Sequence, residues 1–174
     1  MNYGNIKNCD IADGLGVRVS LFVSGCSHHC KGCFNQDTWD FSYGHLYTEE
    51  VEEKILKMLE PSYINGLTLL GGEPFELVNQ HGLLSLVKKA KERFPNKTIW
   101  AYSGYLFDKD LIVPSRAHDD KTMEFLSYID VLVDGPFIER LKDISLRFRG
   151  SSNQRIIDVK KSLEKNEVVL FEFK

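Results

Sequence analysis

Three of the four cysteines stand in one short stretch, Gly25-Cys26-Ser27-His28-His29-Cys30-Lys31-Gly32-Cys33-Phe34, spaced Cys-x3-Cys-x2-Cys. Thiolates placed so closely can converge on one inorganic centre, and in a reducing compartment clustered cysteines serve as metal or redox groups rather than disulfides. A structural zinc site is tetrahedral and closed, and a Cys-x2-Cys pair normally needs a second pair elsewhere. None exists here. His28 or His29 would complete a Cys3His set, but both lie inside the cysteine loop, and all four donors are hard to fit around one ion. Ligand type and count favour an iron–sulfur cluster. The two histidines read as exposed loop residues or hydrogen-bond partners.

A cubane held by Cys26, Cys30 and Cys33 leaves one iron without a protein ligand. An open coordination position marks a catalytic metal site rather than a structural one, and would bind a substrate or cofactor. A cluster that only relays electrons is normally held by four cysteines. Cys9 stands apart and is expected as a small buried hydrophobe.

The elements that must position this loop follow from patterning. Ile6 to Gly16 reads as irregular, with a tight turn at Asp13-Gly14. Val17 to Val23 is a β-branched, largely apolar strand that ends at Ser24-Gly25, where the cysteines begin. Thr48 caps a helix whose Val51, Ile55, Met58 and Leu59 share a face, and Pro61 stops it. Ile64 to Leu70 is a second strand, running into Gly71-Gly72-Glu73-Pro74. A helix over about Glu76 to Phe94 follows, then a strand over Lys97 to Tyr102 ending at Ser103-Gly104. A short helix spans about Asp119 to Leu126, and a strand over Ile129 to Val133 ends at Asp134-Gly135-Pro136. The tail predicts a helix over Val159 to Glu164 and a strand over Val168 to Phe173.

Strands alternating with helices predict an α/β fold with a mostly parallel sheet and right-handed crossovers. A full eight-unit barrel needs about 250 residues, and this chain has 174. A partial barrel or an open sheet of about five or six strands fits, as a single domain over 1–174. Gly25, Gly71-Gly72-Glu73, Ser103-Gly104 and Asp134-Gly135 all follow C-terminal strand ends, the edge where parallel α/β folds bind ligands. Four loops are thus expected to face one site.

Composition narrows the classes. Lys and Arg number 22 against 25 Asp and Glu, so there is no basic excess for nucleic acid. The N-terminus, Met1 to Lys7, lacks a signal-peptide pattern, and no apolar stretch approaches the roughly 18 residues of a membrane span. The expected setting is cytoplasmic. Arg147, Arg149 and Arg155 read as a solvated edge or as contacts to a partner or polyanion.

Cys26-x3-Cys30-x2-Cys33 followed by Phe34, with Gly-Gly-Glu-Pro ending the next strand, resembles the radical S-adenosylmethionine (SAM) superfamily. The loop 25–35, Trp100-Ala101-Tyr102-Ser103-Gly104-Tyr105, Leu132-Val133-Asp134-Gly135-Pro136-Phe137 and Arg149-Gly150-Ser151-Ser152-Asn153-Gln154-Arg155 further resemble the activating proteins of anaerobic ribonucleoside-triphosphate reductases, which are glycyl-radical activases. Other activases are longer, and several carry extra cysteine-rich domains for which this chain has no cysteines left.

The resemblance implies a partial (β/α) barrel of the radical SAM type, one 4Fe-4S cluster on Cys26, Cys30 and Cys33, and SAM chelated by the open iron. An electron, with reduced flavodoxin as the implied donor, would cleave SAM to a 5′-deoxyadenosyl radical. That radical would abstract hydrogen from a glycine of the reductase large subunit. Gly32, Cys33 and Phe34 would lie on the adenine side. Gly71 and above all Gly72 would let the backbone approach the SAM ammonium. Glu73 would support that ammonium or shape the turn, and Asp134 would reach the site or cap a turn. The alternatives are a small-molecule radical SAM enzyme, such as a 7-carboxy-7-deazaguanine synthase, and a non-enzymatic zinc-binding module.

Overall fold

The computed structural model describes residues 1–173. Seven strands form one sheet: β1 (Asn2–Asp10), β2 (Val17–Val23), β3 (His45–Leu46), β4 (Ile64–Gly71), β5 (Thr98–Tyr102), β6 (Val131–Asp134) and β7 (Arg155–Asp158), in the order β3-β1-β2-β4-β5-β6-β7. The central four, β2, β4, β5 and β6, run parallel. Both edges are antiparallel: β1 pairs with β2 and β3, and β7 pairs with β6. The parallel centre is the one expected from patterning, while the antiparallel edges make the sheet mixed and larger than expected.

Among the described residues three α-helices lie between strands, α1 (Glu49–Met58), α2 (Leu77–Arg93) and α3 (Thr122–Ser127), and a fourth, α4 (Val159–Lys165), follows β7. Thr48 caps α1 as expected, its side chain accepting from the Val51 N–H. Ile55 and Leu56 of α1, Leu83, Leu86 and Val87 of α2, Phe125 of α3 and Val159 of α4 join one core with Val19, Leu21, Leu67, Leu69, Ile99 and Leu132 of the sheet. All four helices therefore cover the same face. Strands laid down in spatial order with crossovers of one hand produce that arrangement.

Alternation sends the neighbouring strand residues to the opposite face. There Trp100, Val131, Val133 and Ile156 form a second cluster, joined by Phe148 and Phe171. Arg18 is fully buried on this face. Its guanidinium donates to Thr68 Oγ1 and to the Leu67, Thr98 and Leu15 carbonyls, and lies 5.6 Å from the Trp100 ring. Burial lowers its pKa to about 10.

Two expectations are corrected here. Ile6 to Gly16 is not irregular throughout, because β1 occupies its first half. Val168 to Phe173 is no strand: only Leu170 bridges to Ile157, and Phe171 seats on Trp100 with ring centroids 5.6 Å apart. Among the described residues, no helix is long and apolar enough to cross a membrane.

Candidate cluster and cofactor site

A cavity of about 520 Å³ opens at the C-terminal ends of β2, β4 and β5. Phe22, Leu70 and Tyr102, which point away from the helices, form its floor, and Cys26, Cys30 and Cys33 all line it. Gly71, Gly72, Glu73, Ser103, Gly104 and Gly135 arrive from the strand ends. The convergence expected of four loops is what the chain builds.

The cysteine loop is held to the sheet by its backbone. Gly72 N–H donates to Val23 O and Glu73 N–H to Gly25 O, both at 2.8 Å, so the β2–β4 ladder continues into the loops. Gly25 and Cys26 donate to the Thr38 and Trp39 carbonyls. Buried Asn79 of α2 donates to the Ser24 and Glu73 carbonyls. Gly71 sits at φ +105, open to glycine, and a Cβ on Gly72 would lie 2.6 Å from Gly25 O and 2.9 Å from Thr38 O. The close approach expected at these glycines is first an approach to the cysteine loop itself.

Glu73 is 1% exposed and takes four hydrogen bonds. Oε1 accepts from Phe75 N–H and Ser103 Oγ, and Oε2 from Gly104 N–H and His28 Nε2, at 2.7–3.0 Å. One carboxylate thereby joins the cysteine loop, the β4 end and the β5 end. Of the two roles expected for Glu73, shaping the local structure is the one its bonds perform. His28 is half-buried against Tyr105, with ring centroids 4.3 Å apart, and His29 is exposed, as expected, and stacks on Trp39 at 4.7 Å. Both are packing partners, His28 also a hydrogen-bond partner.

The other residues sort as follows. Phe34 is 68% exposed and stands at the cavity edge against Phe137, with Lys142 Nζ 4.9 Å from its ring. Gly32, at φ +75, makes the turn before Cys33 and does not line the cavity. Asp134 is not brought to the cavity either. It is fully buried, accepts from Phe107 N–H, and is paired with Arg155 through both oxygens. Arg155 also reaches Asp108, so it is no solvated edge. These carboxylates hold the Arg155 guanidinium well above its usual pKa. Cys9 is exposed, at φ 59 within a β1 irregularity, rather than a buried hydrophobe.

Sequence reading passed over Asp13 except as a turn residue. It lines the cavity, and burial, together with the neighbouring Asp10 carboxyl, raises its pKa to about 7. Asp10 Oδ2, Ser20 Oγ and Tyr102 OH are buried without partners. An Asp-Gly turn beside a strand gives no sign that its carboxyl faces a pocket.

Burial, reinforced by the charge of Glu73, pushes the Cys26 thiol up to about 12, and burial also raises Cys30. Coordination deprotonates such ligands and couples binding to proton release. Asn35 N–H points at Cys33 Sγ, 3.4 Å away, the kind of contact that tunes a cluster's potential. Among the described residues no three His, Cys, Asp or Glu side chains are placed to hold a single ion. A cubane binds each thiolate at a different iron and asks for no such point of convergence.

Residues 12–157 match the family described as a 4Fe-4S single cluster domain. That match defines the class: a protein built around one iron–sulfur cluster. The chain is 45% identical over 158 residues to the anaerobic ribonucleoside-triphosphate reductase-activating protein of Vibrio cholerae, covering 90% of this chain and 97% of that one. It is 42% identical to the protein of that name from Enterobacteria phage T4, covering 90% and 93%, and 40% identical to that of Escherichia coli K12, covering 88% and 96%. The chain belongs to the family of anaerobic ribonucleoside-triphosphate reductase-activating proteins.

Proposed function

We propose that this chain activates an anaerobic ribonucleoside-triphosphate reductase as a radical SAM enzyme, its open sheet serving as the partial barrel of that type. One observation carries the reading. Three cysteines of the Cys-x3-Cys-x2-Cys loop line a cavity with Gly71-Gly72-Glu73 and Ser103-Gly104, and no fourth thiol lies beside them. A 4Fe-4S cluster held there by Cys26, Cys30 and Cys33 would pass one electron, received from reduced flavodoxin, to SAM, which would part into methionine and the 5′-deoxyadenosyl radical that takes hydrogen from a reductase glycine.

The chain's own residues hold and shape the site. Cys26, Cys30 and Cys33 hold the cluster. Glu73 fixes the three loops against one another, and Gly72 keeps the cysteine loop close to β4. Phe22 and Leu70 give the cavity an apolar floor, and Phe34 with Phe137 stands at its edge. Hydrogen abstraction requires position and dryness more than proton transfer.

The test mixes anaerobically reconstituted protein, SAM, reduced flavodoxin and the reductase. A glycyl doublet in the EPR spectrum of the reductase is expected. Deoxyadenosine without a protein radical would point to a small-molecule substrate, and a colourless protein with one zinc would overturn the cluster.

A further inference from the structure

The segment Arg147 to Arg155 carries three arginines with different surroundings. Arg147 is exposed and lies over the rings of Phe148 and Phe173, at 5.0 and 4.7 Å. Arg155 is held by Asp134 and Asp108. Arg149, half-buried, lines the cavity. Its Nη1 donates to Gln154 O at 2.7 Å, its Nε is buried with no partner, and no carboxylate pairs with it among the described residues.

A guanidinium carries five N–H donors and stays charged at any physiological pH. Removing a charged donor from water without a partner is costly, so such a group is normally matched by an anion. The protein offers none. Of the two carboxylates that line the cavity, Glu73 already has four donors, and Asp13 is raised towards its neutral form by burial and by Asp10. Arg149 is also fixed in place. Gln154 Oε1 accepts from Gly150 and Ser151 N–H, and Gln154 Nε2 donates to Gly135 O, which ties the segment to the β6 end.

We infer that Arg149 anchors the anionic end of the cavity's ligand, a carboxylate received by the guanidinium fork. Resting on the function proposed above, that carboxylate is the one on the amino-acid portion of SAM. Planar two-oxygen anions suit a guanidinium better than an ammonium, which would bind as a point charge. The other source of negative charge is the cluster with its three thiolates, and the experiment separates the two.

The test uses anaerobic, cluster-loaded wild-type protein, Arg149→Gln and Arg149→Lys, titrated with SAM and with decarboxylated SAM by calorimetry. Losing a hydrogen-bonded charge pair weakens binding about 10- to 100-fold. The wild-type preference for SAM over the decarboxylated analogue is expected to shrink by that factor in Arg149→Gln and by less in Arg149→Lys, with iron content and visible spectrum unchanged. An unchanged preference in Arg149→Gln overturns the inference. So does equal weakening of both ligands, which marks a structural role, or loss of iron at constant preference, which makes the cluster the counter-charge. If the wild type keeps its iron and binds no SAM, the SAM reading falls and the inference with it.

Discussion

Replacing Glu73 by Gln tests whether the carboxylate binds ligand or joins loops. The shape is kept, but one acceptor oxygen becomes a donor NH2. With the NH2 on the Oε1 side it faces Phe75 N–H; on the Oε2 side it faces Gly104 N–H. A main-chain N–H cannot turn away. The second orientation is milder, because His28 Nε2 can accept in its other tautomer while Gly104 loses its partner. Losing one buried hydrogen bond to a charged acceptor and setting two donors against each other costs about 3 kcal/mol. In a chain of this length that lowers Tm by about 6–12 °C. Urea unfolding under argon, on cluster-free and cluster-loaded protein, measures it. Stability within about 0.5 kcal/mol of wild type together with weakened SAM binding would refute the reasoning and return Glu73 to the ligand.

Arg155→Gln leaves the fully buried Asp134 with only the Phe107 N–H, a loss of about 3–5 kcal/mol by thermal unfolding. Arg155→Lys should not rescue it, since one ammonium cannot reproduce the fork to Asp134 and Asp108; a Tm within about 2 °C of wild type would contradict the pairing. Gly72→Ala sets a methyl against two fixed carbonyls and should reduce iron uptake below about half. Gly82→Ala is its control, because there the methyl's nearest neighbours are the flexible side-chain atoms of Met1, and it should stay within about 1 kcal/mol of wild type. Asp13 has a pKa raised from 3.8 to about 7, so the fold favours its neutral form. The stability this contributes is complete below pH 3.8 and is lost as pH rises through about 7. Asp13→Asn removes that loss and should gain about 2 kcal/mol over wild type at pH 8 and little at pH 4, after allowing for water in the cavity. Parallel stability curves for the two proteins would refute it.

What the sequence made legible was whatever repeats along the chain. Strands β2, β4, β5 and β6 are short apolar runs that bury both faces, and α1 and α2 carry apolar faces at helical spacing, so each announces itself. β1 does not. Most of its side chains are exposed or half-exposed, its ladder to β2 is irregular around Cys9, and it exists through pairing rather than burial. The tail misled for the opposite reason: Val168 to Phe173 is apolar because Phe171 packs on Trp100, not because it joins a ladder. The cysteines and the glycines after β4 were likewise legible as local motifs.

The bonds that make those motifs into a site were not legible, because they join residues far apart in sequence. Glu73 connects residues 28, 75, 103 and 104, and Asp134 takes a partner 21 positions away. The same distinction separates the two ends of the cysteine loop. Cys26 is 9% exposed and anchored to Trp39 O, while its neighbour Gly25 is bonded to Thr38 and to Glu73. Cys30 and Cys33 are half-buried, and a turn bond from Cys33 N–H to Cys30 O joins them. The fold therefore sets the position of the first thiol through long-range bonds, whereas the local turn sets the other two relative to each other. Of the three cysteines proposed to hold the cluster, Cys26 is the one whose place depends on Glu73 and Gly72, so disturbing either should disturb cluster binding with all three cysteines still present.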